Sequence, residues 1–285
     1  MRLVFAVGLE GSGHNYLAKA LLTMFHEQQG KVTRLDECRM SWDFYLVRSM
    51  TASPDTYDQA LARAREGMRS LAEKAENLTS LSSASSSSMG GIATMFQLDS
   101  PHECKYIGML SYPNFVGDDK VFRYTDLRML AEVAEEEGVD LRVVYLQRPA
   151  RDMMIANTVH RDFHNQLGKG AASETKEERY MRYSRVLFTD IAVMQSMLSE
   201  LGPGFTVCHR FEKIGQREQA TKVADFIAPN SEVSGMVVDV LVGTVKQHDG
   251  NATTREDLLL PGAEGLAERL QHKLDAFEHL YCRPA

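Results

Sequence analysis

Apolar residues follow two rhythms along this chain. Short unbroken runs alternate with longer stretches in which apolar positions recur every three or four residues, the first predicting buried strands and the second amphipathic helices. The runs are "RLVFAV" (2–7), "KVTRL" (31–35), "KYIGML" (105–110), "LRVVYL" (141–146) and "FTVCHRF" (205–211). Helical spacing marks 14–29, through Leu17, Leu21, Leu22 and Phe25, and 53–78, where Ser53 is a cap and Pro54 sits in the first turn. It also marks 124–140, stopped by Gly138, then 150–163, 176–201, 216–227 and 262–281, with Gly202 and Pro203 ending the 176–201 helix. Strands alternating with helices predict an α/β fold, a mostly parallel sheet flanked by helices on both faces. The chain reads as a single domain, 1–285, interrupted by the low-complexity stretch "TSLSSASSSSMGG" (79–91). That stretch reads as a surface loop, or more sharply as a lid over a cleft.

Composition narrows the function only a little. A net charge of -7 argues against a general nucleic-acid binder. The first apolar run is short and ends in Gly-Leu-Glu-Gly without a cleavage site, so it reads as a strand, not a signal peptide. No segment reaches the roughly 18 apolar residues that cross a bilayer. The cysteines, Cys38, Cys104, Cys208 and Cys282, lie far apart with no CxxC pair, which predicts reduced thiols in a cytoplasmic protein.

Chemistry concentrates where strands hand over to helices. Between the first strand and helix runs Gly8-Leu9-Glu10-Gly11-Ser12-Gly13-His14-Asn15-Tyr16. Glycines let the backbone turn so that N–H groups converge, and the following helix N-terminus adds partial positive charge; both favour phosphate. The spacing fits a G-x-x-x-x-G-K-[ST] loop, but His14 and Asn15 replace the lysine and the hydroxyl that would hold a β/γ-phosphate and Mg²⁺. ATP or GTP hydrolysis is therefore disfavoured. In "VVYLQRPARDMMIANTVHRDF" (143–163) a buried strand delivers Arg148 to the same rim, with Asp152 early in the next helix. Such an arginine is a bidentate anion ligand.

Taken together, "GLEGSGHNYLAKAL", "VVYLQRPARDMM" and "FTVCHRFEKIGQREQATKVADFI" resemble, in order, three blocks of the sulfotransferases that use 3′-phosphoadenosine 5′-phosphosulfate (PAPS). The resemblance implies a three-layer sandwich of the P-loop NTPase type. It implies that Gly8, Glu10, Gly11, Ser12, Gly13, His14, Asn15 and Tyr16 surround the 5′-phosphosulfate and that Arg148 meets the 3′-phosphate. The chain departs from the family pattern at Gly11, at His14, where the family has a threonine, and at Ala156. Gly11 stands where the family has a basic residue, with His14 the candidate to take over that role. Ala156 stands where the family has a phosphate-binding serine, leaving Asn157 or Thr158 to donate instead. A basic loop near the C-terminus would be supplied by 245–257, through Lys246 and Arg255.

The acceptor's proton needs a base opposite the leaving group. One branch of the family uses a histidine after a central strand, where this chain has Ser111. Another uses a glutamate after the second strand, where it has Asp36 and Glu37 beside Trp42, Phe44 and Tyr45. Glu37 is the first choice, Asp36 the second and His102 the fallback. His160 and His164 read as surface, or as a rim of the donor site, before they read as metal ligands; no metal is expected. The partner is a hydroxyl- or amine-bearing metabolite or carbohydrate, with no nucleic acid and no membrane. A homodimer is compatible with the sequence. Two other readings are a P-loop small-molecule kinase, which would need Mg²⁺, and a nucleotide-binding scaffold without catalysis.

Overall fold

A computed structural model describes residues 2–9, 11–13, 17, 33–35, 45–47, 54–77, 93–97, 105–111, 115–116, 122–160, 174–201, 204–213, 215–229, 231–246 and 264–281. Its centre is strand β1 (Arg2–Gly8). Leu3, Val4, Phe5, Ala6 and Val7 are all buried, odd positions in one apolar cluster and even positions in the other. A strand covered on both faces needs no polar alternation, which is why this one reads as an unbroken apolar run.

β1 pairs in parallel with β5 (Lys105–Ser111) on one side and β8 (Asp140–Gln147) on the other, and β8 pairs in parallel with β9 (Thr206–Arg210). Beyond β5 the sheet continues antiparallel, through β4 (Ala93–Gln97) to β2 (Thr33–Leu35), giving the order β2-β4-β5-β1-β8-β9. The parallel core matches the sequence reading; the antiparallel edge does not appear in it. A second sheet joins β3 (Tyr45–Val47), β7 (Phe122–Thr125) and β6 (Phe115–Val116).

One face of the large sheet is covered by α1 (Pro54–Asn77), α2 (Leu127–Glu136), α3 (Ala150–His160), α4 (Lys176–Leu201) and α7 (Glu264–Tyr281). The other is covered by α5 (Arg217–Ile227), α6 (Ser231–Lys246) and Leu17. The fold is therefore α/β in three layers.

Several expectations shift. The helix expected over 124–140 begins only at Leu127, because 122–125 pairs as a strand and the buried Asp126 caps the helix, accepting from the N–H groups of Arg128 (3.0 Å) and Met129 (3.3 Å). At its other end Gly138 (φ 65°) lets Val139 N–H reach the Ala134 carbonyl at 2.7 Å, so the expected stop holds. The valine-rich α6 was not foreseen: valine and glycine disfavour helix, but Val237, Val238 and Leu241 pack beside α5 residues in one apolar cluster, and that packing overrides propensity. Cys208 is disulfide-bonded, against the expectation of reduced thiols. Distance along a sequence does not set distance in a fold; the partner sulfur lies outside the described residues. Among the described residues, no helix is long and apolar enough to cross a membrane.

Candidate anion-binding site

The carboxyl ends of β1, β8 and β9 lie side by side, with Gly8 in register with Leu146 and Leu146 in register with His209. Here β1 breaks into a tight turn, closed by the Ser12 N–H donating to the Leu9 carbonyl at 3.0 Å. Gly11 and Gly13 both take positive φ, 86° and 109°. A helical bond then runs from Leu17 N–H to the Gly13 carbonyl at 3.1 Å. Such an i to i−4 bond is of the helical kind, and Leu17 itself is helical.

The loop is packed too closely for side chains at two of its glycines. A Cβ on Gly8 would meet Ser12 Oγ at 2.5 Å and the Leu146 carbonyl oxygen at 2.6 Å. One on Gly13 would meet the Phe211 ring at 2.7 Å. Phe211 opens a short 3-10 turn (Phe211–Lys213) after β9.

Arg148 joins these parts. β8 carries it to the rim, and its Nη1 donates to the Gly11 carbonyl at 3.1 Å. Its guanidinium carbon lies 4.6 Å from the centre of the Phe211 ring. Its Nε is buried without a partner, as is the Ser12 hydroxyl. Burial holds the Arg148 pKa below its ordinary value, partly offset by the charge of Asp152. The chain then turns into α3, whose first N–H, at Ala150, donates to Oε1 of Gln271 on α7 at 2.8 Å. Asp152 lies in the first turn, where its charge suits the helix dipole.

The structure therefore brings together Gly8, Gly11, Ser12, Gly13 and Arg148 at one end of the sheet, as the sequence reading expects. Asn157, Thr158 and His160 lie on α3, and Ser111 ends β5 next to Val7 of β1. Lys246 is the last residue of α6, so the expected loop over 245–257 is helical at its start. Glu10, His14, Asn15, Tyr16, Asp36, Glu37, Trp42, Phe44, the stretch 79–91, His102, His164 and Arg255 lie outside the described residues. Among the described residues, no group of three or more His, Cys, Asp or Glu side chains is placed to hold a metal ion.

No protein-family model matches the chain, and no curated protein matches it in sequence.

Two contributors escape the sequence reading. Phe211 belongs to a recognised block, but nothing in the sequence says that its ring meets both Gly13 and Arg148. His209 lies fully buried in β9, two residues before Phe211, with no hydrogen-bond partner on either ring nitrogen. Its only sequence signal is a histidine inside an apolar strand run.

Proposed function

We propose that this chain is a PAPS-dependent sulfotransferase acting on a hydroxyl or amine of a small metabolite or carbohydrate, in a fold of the P-loop NTPase type. The observation that carries the reading is Arg148. It ties the loop carbonyl at Gly11 to the Phe211 ring and keeps a buried, unpartnered Nε, while the Ser12 hydroxyl of the same loop is also buried and unpartnered. Unpartnered buried donors beside a tight glycine turn and a helix start suit an anionic group. His14 and Asn15, in place of lysine and serine or threonine, suit chemistry that has no need of a loop-bound Mg²⁺.

The donor supplies an activated sulfuryl group: its sulfur–oxygen bond to phosphate breaks as the sulfur bonds to the acceptor's oxygen or nitrogen, the nucleoside bisphosphate leaves with the bonding pair, and the acceptor's proton passes to a base. The chain's own residues do the holding. The loop N–H groups and the Ser12 hydroxyl receive the 5′ anion, Arg148 receives the 3′ phosphate, and the close contact of Gly13 with Phe211 fixes the loop against the turn after β9. Glu37, then Asp36, remain the choices for base. Incubation with ³⁵S-labelled PAPS and a panel of hydroxyl and amine acceptors, with and without Mg²⁺, tests the reading. Metal-independent labelling of one acceptor class supports it. Labelling of none, with phosphoryl transfer from ATP and Mg²⁺, overturns it in favour of a kinase.

A further inference from the structure

His209 is buried where a leucine would satisfy its apolar surroundings without leaving polar atoms unpaired. Its place in the sheet says why a histidine is there. In-register neighbours of a parallel sheet share a face, so Gly8, Leu146 and His209 form one row across three strands. The loop folds over that row. Ser12 Oγ and the Leu146 backbone and side chain occupy the space that a Gly8 side chain would need. Just past the end of β9, Phe211 packs against the apolar cluster of this layer and touches Gly13. His209 is therefore flanked by two residues that pack against the loop, Leu146 and Phe211, and Ser12, which lies over Gly8 at the other end of the row, also has an unpartnered buried oxygen.

We propose that His209 is a positioning residue of the anion site, pairing with the polar floor of the loop, Ser12 Oγ first, when an anion occupies it. A neutral imidazole has one N–H donor and one acceptor nitrogen, and a serine hydroxyl both donates and accepts. The imidazole N–H gives to Ser12 Oγ, which leaves the serine O–H free to turn to the anion. The loop is then held from beneath by β9 as well as from the rim by Arg148. The inference rests on the anion-binding reading of the loop, not on which nucleotide carries the anion.

Imidazole ¹H–¹⁵N correlation spectra of the full-length ¹⁵N-labelled protein test it, with the His209 signals assigned by their loss in His209→Gln. The probes are 3′-phosphoadenosine 5′-phosphate (PAP) and inorganic pyrophosphate. Binding of PAP with a shift of the His209 nitrogens supports both the inference and the sulfotransferase reading. Binding of PAP with those nitrogens unmoved overturns the inference and leaves the reading standing. Binding of pyrophosphate alone, with the shift, supports the inference and counts against the reading. Binding of neither overturns both. As a second readout, His209→Leu weakens anion binding about tenfold and His209→Gln, which keeps a donor and an acceptor, restores most of it. Equal affinity in both variants and the wild type overturns the inference.

Discussion

The guanidinium carbon of Arg148 lies 4.6 Å from the centre of the Phe211 ring while its Nη1 donates to the Gly11 carbonyl at 3.1 Å. One residue of β8 thus links a turn after β1 to a turn after β9. A planar, always charged fork can hold a carbonyl, a ring and an anion together; an ammonium cannot. Arg148→Lys and Arg148→Ala are both predicted to weaken PAP binding at least about tenfold, as loss of a charge-assisted hydrogen bond implies. Titration calorimetry checks this. Wild-type affinity in Arg148→Lys would reduce Arg148 to a point charge.

Gly13 has positive φ and no room for a Cβ, whereas Gly138 has positive φ and open space around it. Gly13→Ala should cost about 1–3 kcal/mol from strain plus overpacking, and Gly138→Ala about 1 kcal/mol from conformation alone. Urea unfolding measures both. Truncating the ring in Gly13→Ala/Phe211→Ala removes the clash, so the double variant should lose less than the sum of the single ones.

Burial lowers His209 from 6.5 to about 4. Its folded-state pKa is depressed, so its neutral form stabilises the fold fully above about pH 6.5, and this contribution is lost as pH falls toward 4. At 1.36 kcal/mol per unit, the loss reaches about 3 kcal/mol. Denaturant unfolding at pH 7.5 and 4.5 measures it. His209→Gln should flatten the difference by a comparable amount; an unchanged pH slope in that variant contradicts the assignment.

Asp126 closes α2 with Oδ1 shared between two backbone N–H groups while fully buried. Asp126→Ala is predicted to cost about 1–2 kcal/mol and Asp126→Asn less, because asparagine also caps. Thermal unfolding separates the two.

Much of this architecture is legible in the sequence, for physical reasons. β1 and β8 are buried on both faces and so stand out as apolar runs; α1 and α4 are long and end at Asn77 and Leu201, close to their sequence-predicted limits. The turn at Gly8–Gly13 and the place of Arg148 follow from the handover of strand to helix. What is not legible depends on distant partners. β4 is short and pairs with β5 and β2; β7 exists through its pairing with β3 and β6. α6 is a helix because α5 covers it. The contacts of Phe211 with Gly13 and Arg148, and the burial of His209, join residues about 60 to 200 positions apart, and no local pattern announces them.

On the proposed function, the loop and Arg148 hold a 3′,5′-bisphosphorylated nucleoside without metal. Titration calorimetry of PAP against the intact protein in EDTA, beside ADP and GDP with and without Mg²⁺, tests it most directly. The expected result is one PAP site, tighter than either diphosphate and indifferent to Mg²⁺, with the heat lost in Arg148→Ala. No heat from PAP, or binding of ADP or GDP that requires Mg²⁺ and exceeds that of PAP, contradicts it.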